Sequence, residues 1–148
     1  MKDSSYSDAQ HLAERVRDTM FATDKAAHAL GMAVSAISPG HASVTMMVRE
    51  DMLNGFGTCQ GGLIATLADM AFAYACNSYN EMTVASGFDI DLLGPGRAGD
   101  QLTASARVVS QGSRMGVYDI DVTNQSGERI AVFRGRSYRM KGRQVVPT

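Results

Sequence analysis

The sequence predicts an α+β fold in which one long apolar helix packs against an antiparallel sheet of five or six strands. The helix is indicated by residues 61–77, which are rich in Ala, Leu and Met and contain no proline. Their apolar side chains are not confined to one side, as is typical of a buried helix. Two connections, 111–114 and 124–127, are too short for parallel crossovers, so the alternating segments that they join are antiparallel strands.

The other elements follow in chain order. Apolar residues recur every three to four positions over 6–22, which predicts an N-terminal helix, and an Ala-rich stretch over 25–30 ends at Gly31. A hairpin is predicted over 32–48, with its turn at 38–41. After the central helix, alternation of apolar and polar residues predicts four strands, over 84–93, 102–108, 118–122 and 130–140.

Length and composition restrict the class of protein. A chain of 148 residues suits a single domain, 1–148, in which residues 1–25 form an N-terminal helical extension. No uncharged apolar run reaches the roughly 18 residues that a membrane span needs, and the N-terminus lacks the layout of a secretory signal. Two cysteines are too few for a disulfide scaffold. We therefore expect a cytoplasmic protein that does not bind membranes.

Charge is distributed unevenly along the chain. The formal net charge is −1, which argues against nucleic-acid binding. Residues 1–94 carry 5 basic and 11 acidic side chains (−6), whereas residues 95–148 carry 9 basic and 4 acidic side chains (+5). The basic half is either a solvated strand face or a patch for a phosphorylated ligand, because the guanidinium of Arg pairs well with phosphate oxygens.

Asp69 is the residue that most strongly indicates a function. Between Met52 and Asn80 it is the only Asp, Glu, Lys, Arg or His, and it lies mid-way along the buried helix. A buried carboxylate must find hydrogen-bond donors, take up a proton or face a water-filled cleft. Asp69 is therefore either a structural cap for a neighbouring turn or an active-site acid, base or nucleophile. The second role is favoured because perturbed carboxylates cluster at active sites.

The glycine-rich loop over 54–62 is the second candidate. It is either a tight turn or an anion site, in which free N–H groups of the first helical turn hold a phosphate or an oxyanion. A dinucleotide-binding loop is excluded, because Gln60 stands at the third glycine position and no βαβ repeats follow. The three histidines lack metal-ligand spacing, so we expect no metal site. A nucleophilic pair of Cys59 and His41 is an alternative, but a buried cysteine is usually inert packing.

Three segments resemble hotdog-fold acyl-CoA thioesterases of the phenylacetic-acid-degradation type: NGFGTCQGGLIATLADMAFAYACNS, SGFDIDLLGPGRAGDQLTA and MGVYDIDVTNQSGERIAVFRGRSYR. The resemblance implies a long helix wrapped by the sheet, dimers formed through that sheet, and usually homotetramers. It also implies thioester hydrolysis without metal or organic cofactor, since coenzyme A is part of the substrate. The family's oxyanion amide falls on Gly61, its polar helper on Asn54 and its catalytic carboxylate on Asp69.

One position departs from the family pattern. The family commonly has His before the glycine pair, where this chain has Gln60, which forms hydrogen bonds but cannot take up a proton. We expect Gln60 and Gly62 to contact substrate, and Ser86 falls near a Ser or Thr that sometimes assists the family's carboxylate. The nucleotide end of CoA is expected to meet basic residues of the C-terminal half, namely Arg97, Arg134 and Arg136.

The spacing of Gly61 and Asp69 predicts a shared active site. Eight residues of helix separate them by about 12 Å, so one substrate carbonyl cannot touch both within one chain. If both act on one thioester, the site is shared by two protomers. We expect a homo-oligomer that hydrolyses (hydroxy)phenylacetyl-CoA or a related aromatic acyl-CoA in phenylacetate catabolism, with Asp69 as base or nucleophile. The alternatives are a non-catalytic acyl-CoA-binding hotdog protein and a hotdog dehydratase, which generally needs a catalytic His.

Overall fold

The structure, a computed structural model, describes the backbone of residues 2–148 and the side chains of residues 7–148. Within the described range, no helical segment has the length and hydropathy that a bilayer span requires. The helices are α1 (Lys2–Ala22), α2 (Lys25–Ala29) and α3 (Gly61–Asn77), and the strands are β1 (Ala33–Ser38), β2 (His41–Met47), β3 (Thr83–Leu92), β4 (Gln101–Gln111), β5 (Met115–Thr123) and β6 (Arg129–Arg139). The strands form one antiparallel sheet in the order β1-β2-β4-β5-β6-β3.

The core lies between α3 and one face of the sheet. Leu67 and Ala71 of α3 are fully buried, and α3 contacts all six strands. In β5 the buried Tyr118 and Ile120 alternate with partly exposed residues, as the sequence pattern predicts. Each large apolar side chain buried in this way stabilises the fold by about 1.5–3 kcal/mol. The predicted α+β arrangement, with a central helix and a six-stranded antiparallel sheet, is therefore confirmed.

The predicted elements agree with the structure in the core and differ at strand ends. The central helix spans the predicted residues 61–77, whereas the N-terminal helix begins earlier, at Lys2. The strand predicted over 84–93 begins and ends one residue earlier, because its pairing with β6 runs from Thr83, opposite Arg139, to Leu92, opposite Ala131. The strand over 102–108 continues to Gln111 through a bulge. Pairing with neighbouring strands sets the ends of these strands. The local alternation of apolar and polar residues does not encode that pairing.

Candidate active site

Asp69 lies on the wall of a cavity beside α3. Asp69, Phe72, Ala73 and Cys76 stand at helical positions i, i+3, i+4 and i+7, so they share one face of α3. The cavity has a volume of about 310 Å³ and is completed by α1 and by the start of β3. Its other lining residues are Met20, Asn77, Thr83, Val84 and Ala85.

The Asp69 carboxylate has no partner within the described side chains. No hydrogen bond or ion pair reaches it from residues 7–148, although it is half-buried. Burial raises the pKa of this carboxyl above its usual value, because the charged form is poorly solvated there. Asp69 therefore faces the cavity, and in the described part of the chain it does not cap a turn.

The other polar groups of the cavity wall are already occupied. The side-chain amide of Asn77 donates to the carbonyl oxygens of Ala73 at 2.9 Å and Thr83 at 3.0 Å, which ties the end of α3 to the start of β3. Burial raises the pKa of the Cys76 thiol to about 12, so it stays protonated at neutral pH and is a poor nucleophile. Among the lining residues, Asp69 is thus the group available for acid–base or nucleophilic chemistry.

The glycine-rich loop is held in shape by Asn54. Its Oδ1 accepts the N–H groups of Phe56 at 2.9 Å and Thr58 at 3.3 Å, which is an Asx turn. Its Nδ2 has no acceptor within the described residues. The N–H of Cys59 donates to the carbonyl of Gly96 at 2.7 Å and fixes the loop against the turn after β3. Asn54 therefore orders the loop and leaves its amide N–H₂ group available.

The N-terminus of α3 presents two free backbone donors. Gln60 is the N-cap, and its carbonyl accepts the N–H of Leu63 at 2.9 Å, while its side chain is exposed. Within residues 2–148, the N–H groups of Gly61 and Gly62 have no hydrogen-bond acceptor. A Cβ on Gly61 would lie 2.6 Å from Cδ1 of Leu92, so glycine permits the close approach of the end of β3. Free N–H groups and the helix dipole make this terminus a site for negative charge.

Within one chain, the backbone N–H of Gly61 and the carboxylate of Asp69 do not lie together. Gly61 lies beside Leu92 at the end of β3, whereas the Asp69 cavity contains Val84 near its start. Those two strand positions are eight residues apart, or about 26 Å in an extended chain. Along α3 the separation of Gly61 and Asp69 is about 12 Å. The two candidate groups therefore occupy separate places on the surface of one chain.

The predicted basic contacts fall into two environments. The guanidinium of Arg134 donates to both carboxylate oxygens of Asp119, at 2.7 and 2.9 Å, and Arg136 donates to Asp89 at 2.9 Å. Arg97 lies in the turn after β3, and within the described residues its guanidinium forms no ion pair. Arg134 and Arg136 thus have their charge neutralised on the sheet, and Arg97 does not.

The sequence analysis missed part of the cavity wall. Phe72 was detectable, because it stands three positions after Asp69 on the same helical face. No local pattern identifies Met20, since only the packing of α1 brings it to the cavity. Ser86 lies outside the cavity: its hydroxyl donates to the carbonyl of Arg136 at 3.1 Å, and its neighbour Ala85 lines the wall.

Comparisons with known proteins place this chain in a family. The model of the thioesterase superfamily matches residues 56–131. Acyl-coenzyme A thioesterase PaaI of Escherichia coli is 48% identical over 89% of this chain and 94% of its own length. The structure of that PaaI protein, from the phenylacetic acid degradation operon, has a TM-score of 0.89 and covers 90% of this chain and 97% of that chain.

A further solved structure carries a ligand. The protein smu.793 from Streptococcus mutans, bound to acetyl-CoA, is 29% identical, has a TM-score of 0.73, and covers 76% of this chain and 91% of that chain. Human acyl-coenzyme A thioesterase 13 is 29% identical over 71% of this chain and 76% of its own length. The predicted resemblance is confirmed: the chain belongs to the thioesterase superfamily of hotdog-fold enzymes, and it is a thioester hydrolase that acts on CoA thioesters.

Proposed function

We propose that this enzyme hydrolyses aromatic acyl-CoA thioesters, with (hydroxy)phenylacetyl-CoA as the expected class, and that the acyl group occupies the Asp69 cavity. The observation that carries the proposal is an unpartnered carboxylate in a cavity whose other free surface is apolar. Phe72 lines the cavity together with Ala73 and Val84, and this apolar lining suits a flat apolar group. The similar E. coli protein comes from the phenylacetic acid degradation operon, which agrees with this acyl group.

Asp69 supplies the base or the nucleophile. As general base, its carboxylate takes a proton from water while the water oxygen attacks the thioester carbon. The C–S bond then breaks, and the proton held by Asp69 passes to the departing thiolate to give CoA thiol. As nucleophile, it attacks the same carbon, expels the thiolate and forms an anhydride that water hydrolyses. The raised pKa of this carboxyl supports the first role, because a stronger base accepts a proton more readily. Neither route requires a metal or an organic cofactor.

The N-terminus of α3 supplies the oxyanion site. In this proposal the N–H of Gly61, which has no acceptor in the described residues, donates to the carbonyl oxygen as it gains negative charge, with Gly62 beside it. The available amide of Asn54 is the group proposed to orient substrate or water. Gln60, exposed at the N-cap, replaces the family's usual His and contributes hydrogen bonds alone.

The two halves of the site meet when two chains pair along β3. This strand is an edge of the sheet and carries exposed apolar side chains, with Val84 41%, Phe88 42% and Leu92 52% accessible. Unpaired edges of this kind favour pairing with a second strand. An antiparallel pair of β3 strands places the Leu92 end of one chain, near Gly61, beside the Val84 end of the other, near Asp69. We propose this dimer as the catalytic unit, within a tetramer.

Arg97 is the proposed contact for the phosphates of CoA. It lies in the turn that Gly96 fastens to the glycine-rich loop, and its guanidinium has no ion-pair partner in the described residues. Arg134 and Arg136 contribute less, because binding phosphate would require them to give up their carboxylate partners. A dehydratase function is disfavoured, since none of the described residues that line the Asp69 cavity is a histidine.

A panel of CoA thioesters tests the proposal. Phenylacetyl-CoA and 4-hydroxyphenylacetyl-CoA are compared with acetyl-CoA, decanoyl-CoA and cyclohexylacetyl-CoA, which matches phenylacetyl-CoA in size but is not flat. We expect the two aromatic thioesters to have the highest kcat/KM. A preference for decanoyl-CoA, or equal rates for phenylacetyl-CoA and cyclohexylacetyl-CoA, would contradict the aromatic assignment.

A further inference from the structure

One residue of the N-terminal helix reaches the Asp69 cavity. Of the described residues that line the cavity, Met20 alone belongs to α1, and it is partly buried against the core. Methionine is unbranched and polarisable, so its side chain adapts to the shape of a neighbouring group. The part of the cavity wall that α1 contributes can therefore adjust to the shape of a bound group.

The end of α1 is fixed in place by α3. The hydroxyl of Tyr74 donates to Oδ2 of Asp24 at 3.0 Å, and Oδ1 of Asp24 accepts the N–H of Ala27 at 3.2 Å as the N-cap of α2. Met20 lies four residues before this anchor. Earlier in α1, Nε2 of Gln10 donates to the carbonyl of Ile37 at 2.7 Å. Both parts of α1 are thus attached to the body of the protein, and the backbone of Met20 is held at the cavity.

The part of the wall formed by Phe72 is rigid. The Phe72 ring packs against Tyr118 with ring centroids 5.5 Å apart and against Phe133 at 6.1 Å. A Cβ on Gly135 would lie 2.8 Å from the Phe72 ring, so the ring has no room to retreat into the sheet. An acyl group that enters the cavity therefore meets a fixed ring at Phe72 and an adaptable side chain at Met20.

We infer that Met20 is a specificity-determining residue, which closes the Asp69 cavity and sets the size of the acyl group that the enzyme hydrolyses. This inference rests on the proposed function, in which the cavity holds the acyl group. Shortening the side chain enlarges the space for the acyl group, and adding bulk reduces it. The chemistry at the thioester carbon is unchanged, because Met20 carries no acid, base or oxyanion donor.

Selectivity between thioesters tests this inference. For Met20→Ala we expect kcat/KM for naphthylacetyl-CoA, relative to phenylacetyl-CoA, to rise roughly tenfold, which is the usual scale for a change of a few methylene groups in a pocket. For Met20→Phe we expect kcat/KM for phenylacetyl-CoA, relative to acetyl-CoA, to fall by a similar factor. Met20→Leu, which nearly conserves volume, should keep both ratios and shows whether the position tolerates change.

The matched control is Phe21→Ala in the same turn of α1. Phe21 packs on His28, with ring centroids 4.3 Å apart, and does not line the cavity. This variant should keep the wild-type ratios even if its Tm falls. If the Met20 variants change kcat/KM for every thioester by one common factor, the inference is overturned and the proposed function stays intact. A wild-type enzyme without activity on aromatic thioesters would overturn the proposed function itself, and the inference with it.

Discussion

Asp69 and Asp119 are carboxylates of the same kind in opposite surroundings. Asp119 lies on β5, where hydrogen bonds from Arg134 hold the pKa of its carboxyl below the usual value. Asp69 has no partner in the described residues, and burial raises its pKa. A paired carboxylate on a sheet stabilises the fold, whereas an unpaired one beside a cavity is available to a ligand. The comparison teaches that the surroundings of a carboxylate, rather than its presence, indicate a candidate active site.

Replacing each carboxylate by its amide should separate the two roles most strongly. Asp69→Asn keeps the volume and removes the base, so we expect kcat to fall roughly 10²–10⁴-fold while substrate still binds. Asp119→Asn should leave kcat close to the wild-type value. Steady-state kinetics with phenylacetyl-CoA measures both, and near-normal turnover in Asp69→Asn would exclude it as the catalytic carboxylate.

A comparison of arginines sharpens the same point. Arg97→Ala removes a guanidinium that has no carboxylate partner, so we expect KM for CoA thioesters to rise roughly tenfold. Arg134→Ala removes a paired guanidinium and should change KM much less. The corresponding pantetheine thioesters, which lack the nucleotide, serve as the control, because neither variant should affect them. Equal effects on both substrate types would assign Arg97 to the general stability of its turn.

Stability should respond to the two amide substitutions with opposite signs. The folded-state pKa of Asp69 is raised, so its stabilising contribution is present below the unfolded pKa and is lost as pH rises through the folded value. At pH 7 the charged form therefore costs stability, and Asp69→Asn should raise Tm by roughly 1–4 °C. This gain in Tm should shrink as pH falls toward 4. Thermal melts of wild type and Asp69→Asn over a pH series measure it.

Asp119 follows the reverse rule. Its folded-state pKa is lowered, so its contribution is present above the unfolded pKa and is lost as pH falls through the folded value. Asp119→Asn should lower stability at pH 7 by about 0.2–1 kcal/mol, the range for a solvent-accessible ion pair. A lower Tm for Asp69→Asn than for Asp119→Asn at pH 7 would contradict the predicted opposite effects of the two substitutions on stability.

The elements of the core could be predicted from local sequence. Residues 61–77 give the exact span of α3, because two glycines, a continuous apolar composition and the absence of proline all mark the same segment. Asp69 stood out for the same reason, as a lone acid in that composition. Its cavity and its lack of a partner required the structure.

Features that depend on pairing between strands could not be predicted. Arg134 lies opposite Asp119 in the register of β5 and β6, and a shift of one residue would have separated them. The charge balance of residues 95–148 therefore overstated the free positive charge. Met20 was missed because tertiary packing alone brings α1 to the cavity. The Asx turn at Asn54 could have been predicted, since an Asn-Gly pair is a common turn signal.

The central claim is that each active site takes Gly61 from one protomer and Asp69 from its partner. Gly61→Pro removes the N–H, and the backbone accepts proline there: the Gly61 N–H has no acceptor in the described residues, and Gln60, with ψ 129°, already has the extended backbone that precedes proline. Gly61→Ala keeps the N–H but also meets Leu92, so it separates steric effects from loss of the donor.

The direct measurement is the activity of a mixed dimer, isolated with two different affinity tags, of one Gly61→Pro chain and one Asp69→Asn chain. Each homo-oligomer should be nearly inactive. In the mixed dimer one site carries both defects and the other carries neither, so about half of the wild-type activity per dimer should return. No recovery in a folded mixed dimer would show that each site is built from one chain, and would contradict the account.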